Sequence, residues 1–242
     1  MKKIILLYVF LAVLAAPAWG ELQSPFQTGL APLPDELFEP LTADPRELHF
    51  ALRCAAPFKD ETTAEVAVGH YYGIYRWGLP RGIGAVQVNI GGGIFSRFNF
   101  PQNRDLQGID FYGNLPLDIS VGKWSGRFMF YHVSSHLGDD LLRATGRTPE
   151  NNSINSLRSI ISRDFGSALR LYGGYTWHLA VTPDEQEKQA CQAGFEITFD
   201  IIKSGNAQVY WANDFQWWER TGWKTMFNSQ IGIKRGRKPK NG

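Results

Sequence analysis

The sequence predicts an all-β protein, an antiparallel up-and-down transmembrane β-barrel of about ten strands. Long segments alternate apolar and polar residues with a period of two, which is typical of strands that have one apolar and one polar face. Several of these segments run for 14 to 18 residues, whereas strands of globular proteins most often have about 5–6. Short and longer connections also alternate along the chain, as they do in bacterial outer-membrane barrels.

The composition fits one folded domain rather than a disordered or nucleic-acid-binding chain. The chain has 242 residues, of which 43% are hydrophobic and 20% are charged, so it can bury a sizeable core. Without Lys2 and Lys3, which lie in a predicted signal peptide, the 25 basic residues become 23 and balance the 23 acidic ones. A neutral chain gives no electrostatic support for a nucleic-acid partner. Residues 235–242, which include Arg235, Arg237, Lys238 and Lys240, are predicted to form a solvated basic tail.

Residues 1–20 have the three parts of a secretory signal peptide: two lysines, an apolar run and then small residues. The apolar run has 13 residues, short of the ~20 that a spanning helix needs. Cleavage after Ala18 or Gly20 is therefore favoured over a membrane anchor. The exported chain is then periplasmic, secreted or in the outer membrane, and the barrel pattern favours the cell outer membrane. The main alternative is a soluble periplasmic barrel.

Residues 21–48 are rich in proline and acidic residues and are predicted to form an extended periplasmic leader, followed by the β-barrel at residues 49–234. The ten strands are predicted at 49–57, 63–77, 83–100, 107–121, 125–138, 154–164, 168–181, 189–202, 206–218 and 222–234. Short connections follow the second, fourth, sixth and eighth strands. Only the ninth connection, residues 219–222, is tight where a longer loop is expected. Because periplasmic turns are short in such barrels, this order places the N-terminus in the periplasm.

The polar strand faces carry charged residues that would point into the barrel. Side chains mostly fill the interior of barrels with about eight strands. We therefore expect a charged network rather than a wide pore, formed by Arg97, Asp110, Asp118, Arg127, Arg170, Glu196, Asp200 and Asp214.

The cysteines and histidines do not form a metal or cofactor motif. Cys54 and Cys191 fall on strands that we do not expect to be neighbours, so no disulfide is expected. Neither cysteine has a CxxC partner or the spacing of metal ligands. No metal and no cofactor are predicted.

One segment of the predicted fifth strand carries residues with catalytic chemistry. Phe128 and Phe130 mark its lipid-facing side, and His132, Ser134 and His136 share that face. An imidazole beside a serine can take the hydroxyl proton and so activate the oxygen as a nucleophile. A third polar group must orient the imidazole, and across the following loop the candidates are Glu150, Asn151, Asn152 and Asn155. The alternative is that these polar groups lie at the lipid–water boundary and bond to loop backbone.

The His-x-Ser pair on an outward strand face resembles the pattern of outer-membrane phospholipase A and of lipid A deacylases. That resemblance implies His132 as the base, Ser134 as the nucleophile and Asn155 as the polar partner on the next strand. It also implies membrane lipid, including lipopolysaccharide, as the partner of the protein. Those enzymes typically continue with asparagine after the serine, whereas Ser135 stands here.

Four motifs resemble a bacterial family known as domain of unknown function 1207 (DUF1207). They are Leu37–Arg46 with Phe50, His132–Asp139, Asn155–Arg158 and Leu169–Tyr175. The resemblance covers most of the exported chain and implies a bacterial protein of barrel type with no assigned activity. Members of the family run on past the last residue of this sequence. Either the last strand stops near Ile233, or the chain belongs to a longer parent with twelve strands.

Two function hypotheses follow from these observations. The first is an integral outer-membrane β-barrel protein with a structural or small-solute-binding role in the envelope. The second is an outer-membrane serine ester hydrolase that uses His132 and Ser134 on lipid acyl chains.

Overall fold

The computed structural model describes residues 28–30, 36–55, 63–99, 105–148, 152–183, 188–201 and 207–235. The predicted signal peptide at 1–20 lies outside the described residues. So do residues 21–27 and 31–35 of the predicted leader and residues 236–242 of the predicted tail.

The described strands form one antiparallel sheet with the predicted up-and-down order. In chain order they are β1 Gly29–Leu30, β2 Ala51–Ala55, β3 Thr63–Gly78, β4 Gly84–Asn99, β5 Asp105–Val121, β6 Trp124–Leu137, β7 Asn152–Phe165, β8 Leu169–Thr182, β9 Gln189–Asp200, β10 Ala207–Trp218 and β11 Thr225–Arg235. From β3 onward each strand pairs with the next one in the chain, while β1 and β2 both pair with β3. One helix, α1 Asp139–Thr145, follows β6, and 3-10 turns at Pro80–Gly82 and Glu219–Thr221 precede β4 and β11.

The ten predicted strands correspond one to one with β2–β11, and the all-β class is confirmed. Their unusual length is confirmed as well, since β3 has 16 residues and β5 has 17. The short β1 was not predicted. Helix α1 occupies part of the predicted loop 139–153, and its first residues, Asp139 and Asp140, place negative charge at the helix N-terminus, where it is stabilising.

The two faces of the sheet are inverted relative to a water-soluble protein. On β5, Leu115 is 54% exposed while Asp118 is fully buried. Along the other strands the buried face is polar, with Gln87, Asn89, Arg127, Arg170, Glu196 and Asp214 among its side chains. The opposite face exposes large apolar side chains, among them Ile90, Phe128, Ile161, Leu171, Phe199 and Ile231. Of the charges predicted inside, Arg97 and Asp200 instead lie exposed near strand ends.

Residues 36–49, which we call the interior segment, fill the inner side of the sheet. Phe38, Leu41, Asp44 and Glu47 of this segment are all buried. Side chains from β3 and from each of the strands β5 to β11, both included, contact residues 38–47. So short a segment reaches that many strands only if the sheet curls around it. This packing was not expected for a leader.

The sheet is curled but open, so the predicted closed barrel is not formed by the described strands. Among the residues described, β11 pairs with β10 and has no ladder to β1, β2 or β3. The opposite edge is divided: β1 covers Tyr75 and Arg76 of β3, and β2 covers residues 63–67. Between these two pieces residues 36–49 pack inside the sheet, so among the described residues this edge of β3 is only partly covered.

Within the part of the chain that the structure describes, no helix is long and apolar enough to cross a membrane. Cys54 and Cys191 are free thiols on β2 and β9, which are not adjacent strands.

Candidate functional site

His132, Ser134 and Asn155 all lie on the outer face of the sheet. His132 and Ser134 belong to β6, and Asn155 stands directly opposite His132 on β7. The exposed Phe128 and Phe130 share this face, because side chains alternate between the two faces along a strand. The structure therefore brings the three predicted residues to neighbouring positions on the apolar side.

Together with His136, these three residues form a group that we call the outer cluster, and hydrogen bonds divide it into two pairs. His132 Nδ1 lies 2.8 Å from Asn155 Oδ1, so the imidazole N–H donates to the amide oxygen. Ser134 Oγ lies 2.9 Å from His136 Nε2. Among the described residues, no hydrogen bond joins Ser134 to His132. Ser134 is instead paired with His136, which sequence analysis did not assign to the site.

The outer cluster contains both elements of an activated serine, distributed over two histidines. A bond at Nδ1 fixes the tautomer and the orientation of an imidazole and leaves Nε2 as its basic nitrogen. Asn155 does this for His132. His136 touches the serine oxygen and packs edge-on against Phe111, with 6.0 Å between the ring centroids. Chemically, the arrangement offers a nucleophile, a base beside it and a second, oriented imidazole.

A second cluster of polar side chains lies on the inner side of the sheet, where the interior segment meets β3, β5 and β6. Arg127 Nε donates to Asp118 Oδ1 at 2.7 Å, and Arg127 Nη1 lies 3.4 Å from Glu47 Oε1. The hydroxyl of Tyr71 donates to the same Glu47 oxygen at 2.6 Å. The guanidinium also lies over the rings of Phe38 and Tyr71, 4.9 and 4.2 Å from their centroids. These charges are tolerated in the interior because each is paired and hydrogen-bonded.

Asp44 ties the interior segment to three further strands. Its carboxylate forms an ion pair with Arg158 of β7. It also accepts hydrogen bonds from Gln192 Nε2 of β9 at 3.1 Å and from Gln216 Nε2 of β10 at 3.4 Å. The backbone N–H of Arg46 donates to Asp44 Oδ1 at 2.9 Å. A single carboxylate thus holds the segment to the β7–β10 wall.

Two acidic groups of the interior segment have pKa shifts of opposite sign. Burial acts to raise the pKa of Asp44, but the attraction of Arg158 and its hydrogen bonds hold that pKa below the ordinary value. For Glu36, burial dominates over the attraction of Arg127 and raises the pKa from 4.5 to about 7. Glu36 Oε2 has no hydrogen-bond partner among the described residues. Asp44 is therefore a stable charge, whereas Glu36 takes up a proton near neutral pH.

A pocket, which we call the interior pocket, adjoins Asp44 at the end of the sheet that carries the longer connections. Its lining includes Asp44, Arg46, Tyr112, Asn114, Tyr131 and Trp218. Among the residues that the structure describes, no group of three or more histidine, cysteine or acidic side chains is placed to hold a metal ion.

Sequence analysis missed the interior contacts of Asp44 and Glu47. The available signal was a mismatch of charge: an acidic, proline-rich stretch precedes strands whose polar faces carry Arg127, Arg158 and Arg170. Arginines that face an interior need carboxylates there, and those of the supposed leader were candidates.

Comparison with known proteins gives one match. A family model described as "Protein of unknown function (DUF1207)" matches residues 23–237, a range that includes the interior segment and all eleven strands. Searches of curated proteins and of solved structures found no match. The resemblance predicted from the sequence motifs is thus confirmed, and the chain belongs to the DUF1207 family of proteins of unknown function.

Proposed function

We propose that the protein is an integral outer-membrane protein with a plugged interior, whose role in the envelope is structural or small-solute-binding. The inversion of the two sheet faces carries this proposal. An exposed apolar surface that continues over the nine long strands β3–β11 is costly in water and favourable against hydrocarbon. The buried polar face supplies the side chains that fill a membrane barrel of this size.

The interior segment favours a plugged interior over an open channel. Phe38, Leu41 and Asp44 occupy the space through which a solute would pass. Their contacts with Arg127, with Arg158 and with the surrounding strands hold the segment in place. We therefore expect little or no steady conductance when the protein is inserted into planar bilayers.

Fractionation of the exported protein tests the location. We expect it in the outer-membrane fraction, resistant to carbonate extraction, with a gel mobility that changes when the unboiled sample is heated. Recovery as a soluble periplasmic species with unchanged mobility would contradict the proposal.

A second candidate function, a serine ester hydrolase acting on lipid acyl chains, is favoured by one observation. His132 is oriented by Asn155 at 2.8 Å on the apolar face, beside a serine that already contacts an imidazole. In the reaction, Ser134 Oγ bonds to the acyl carbon while an imidazole takes the hydroxyl proton. The alcohol leaves with that proton, and water then hydrolyses the acyl-enzyme to release the fatty acid.

Hydrolysis of phospholipid and of lipopolysaccharide by the folded protein tests this second function. Ser134→Ala and His132→Ala should abolish turnover, and Asn155→Ala should weaken it. The matched control is Ser153→Ala, which removes the hydroxyl directly opposite Ser134 on β7. His136→Ala decides which imidazole is the base. Equal turnover by wild type, Ser134→Ala and His132→Ala would rule the enzyme out.

A further inference from the structure

The gap between the two edges of the sheet has a topological cause. Nine strands run from β3 to β11 in up-and-down order, so the first and the last run in the same direction and cannot pair antiparallel. Of the described strands at the first edge, β1 and β2 run opposite to β3 and so have the direction that could pair antiparallel with β11. They are only two and five residues long, and neither forms a ladder with β11. The space between β2 and β11, which we call the seam, is therefore the weak point of the wall.

A cavity passes through the wall at the seam. It measures about 660 Å³, which is within the ~300–1,000 Å³ typical of small-molecule sites. Its lining includes the buried Glu47 of the interior segment, and also Phe50 and Leu52, which are 71% and 73% exposed. Lys234 of β11 lines the opposite edge. The cavity thus connects the inner side of the sheet with its apolar outer face.

Arg53 of β2 is an accessible cation at this place. It is half-buried and lines both the seam cavity and a neighbouring cavity of about 820 Å³. Glu65 stands opposite it on β3 but pairs with Arg97 at 2.6 Å. Among the side chains that the structure describes, Arg53 has no ion pair, and its guanidinium makes one hydrogen bond, from Nη2 to His49 Nε2 at 2.9 Å. Because a guanidinium has five N–H donors, Arg53 retains donors for a ligand.

The charge of the two linings matches a ligand with one negative charge. The acidic residues that line the two cavities all have a basic partner: Glu39 with Lys234, Glu47 with Arg127, Glu65 with Arg97 and Asp110 with Arg46. Only the charge of Arg53 is left over within the described parts of these linings. A carboxylate carries one charge and accepts two parallel hydrogen bonds from a guanidinium. A phosphate monoester carries close to two charges, and the second would have no counter-charge here.

The outer mouth of the seam is apolar on both edges. Phe50 and Leu52 flank it on one edge. On the other edge, β11 exposes Phe227, Ile231 and Ile233 by 56%, 75% and 71%. A hydrocarbon chain that covers such surface is bound in proportion to the apolar area that it buries. The seam therefore combines a site for a carboxylate on the inner side with a surface for an alkyl chain on the outer side.

We propose that the seam binds a long-chain fatty acid, with its carboxylate on Arg53 and its alkyl chain between β2 and β11 against the apolar outer face. A fatty acid dissolved in the bilayer would reach Arg53 from the side, without passing through the plugged interior. This inference deepens the solute-binding part of the proposed function and rests on it.

Photolabelling tests the proposal with the full protein in phosphatidylcholine nanodiscs and a palmitate that carries a diazirine on its chain. We expect mass spectrometry to find the labels in Phe50–Leu52 and Phe227–Ile233, and excess palmitate to compete for them. Hexadecanol has the same chain without the charge, and hexadecyl phosphate has a second charge. Each should compete about 10-fold more weakly than palmitate, because neither makes the matched charged pair with Arg53.

Variants of Arg53 test the site of the carboxylate. Arg53→Gln should weaken palmitate binding about 10-fold or more, whereas Arg53→Lys keeps the charge and should stay closer to wild type. The matched control is Arg163→Gln, which removes an exposed arginine of β7 that lies outside both linings and should leave labelling unchanged.

Labels spread evenly over the strands, hexadecanol or hexadecyl phosphate competing as well as palmitate, or unchanged affinity in Arg53→Gln would each overturn the inference. The comparison of the three competitors uses wild-type protein and keeps the test available if Arg53→Gln does not fold. A protein that proves soluble yet is labelled at the seam would contradict only the membrane location. An outer-membrane protein without labels at the seam would contradict only the fatty-acid site.

Discussion

Glu47 and Arg127 are separated by 80 positions in the chain, yet their side chains meet inside the sheet with Oε1 and Nη1 3.4 Å apart. Glu47 belongs to the interior segment and Arg127 to the middle of the curled wall. Asp118 accepts a hydrogen bond from Arg127, and Tyr71 donates one to Glu47. The contact therefore joins the segment to β3, β5 and β6 at once. The interior segment is thus part of the folded domain.

Arg127→Leu should strongly destabilise the protein, because it removes the guanidinium that pairs with the buried carboxylates of Asp118 and Glu47. Losing one partner of a buried ion pair costs about 3–5 kcal/mol. The control is Arg97→Leu, which breaks an exposed pair with Glu65 and should cost no more than about 1 kcal/mol. Urea unfolding in micelles, followed by tryptophan fluorescence, measures both changes. Equal losses in the two variants would contradict the buried network.

A cysteine at position 41 should be protected from reagents in water. Leu41 is 1% exposed and lies on the inner side of the sheet. In a background that carries Cys54→Ser and Cys191→Ser, Leu41→Cys should therefore react slowly with a water-soluble maleimide. Lys224→Cys, in the exposed turn before β11, is the control and should react at once. Denaturation should make the two rates equal. Fast labelling of folded Leu41→Cys would mean that the interior segment does not stay inside.

Glu36→Gln should change how stability depends on pH. Burial raises the pKa of Glu36 from 4.5 to about 7, so the folded protein holds this proton more tightly than the unfolded chain does. That contribution to stability is fully present below about pH 4.5 and is lost as the pH rises to about 7. Glutamine does not titrate. The free energy of unfolding of the variant should therefore rise relative to that of wild type across this window, by at most about 3 kcal/mol. Parallel pH profiles of unfolding would contradict the burial of this carboxyl.

Leu115→Arg distinguishes a lipid-facing surface from a water-facing one. Leu115 lies in the middle of β5 and is 54% exposed, while Ile83, in the turn between β3 and β4, is 55% exposed. In a membrane, arginine should cost about 2–4 kcal/mol near the bilayer centre and about 0–1 kcal/mol near its boundary. In water both substitutions should stay within about 0.5 kcal/mol. Unfolding in lipid vesicles of Leu115→Arg, with Ile83→Arg as the matched control, gives the answer.

The strands were predictable because their signal is local. Side chains alternate with a period of two, so the contrast between Leu115 and Asp118 identifies the two faces of β5 without knowledge of its neighbours. Tight turns such as residues 122–123 mark where β5 ends and β6 begins. Closure of the sheet has no comparable local signal, because it depends on pairing between residues far apart in the chain.

The interior segment was not predictable by the same reasoning. Its prolines and acidic residues resemble a linker, and its large apolar residues Leu37, Phe38, Leu41 and Leu48 follow no strand period. Phe38 finds its neighbours on distant strands: the guanidinium groups of Arg127 and Arg170 lie 4.9 and 4.8 Å from the centroid of its ring. Only the three-dimensional structure brings those groups together.

The outer cluster was predicted in position but not in pairing. Ser134 lies two residues from both His132 and His136, so spacing along the strand cannot decide which imidazole it contacts. The register of β7 decides it in part, because Asn155 stands opposite His132 and engages that ring. Cross-strand register follows from turn and loop geometry, and the connection before β7 is among the longest in the chain.

The edge of β3 is covered in two separate pieces by β1 and β2, and this has a mechanical consequence. Since β1 and β2 hold the chain to β3 on either side of the interior segment, that segment is a tethered loop and not a loose end. Withdrawing it requires one tether to detach first, and the tethers are unequal: two residues are paired in β1 and five in β2. Any event that empties the interior should therefore begin by peeling Gly29 and Leu30 away from the wall.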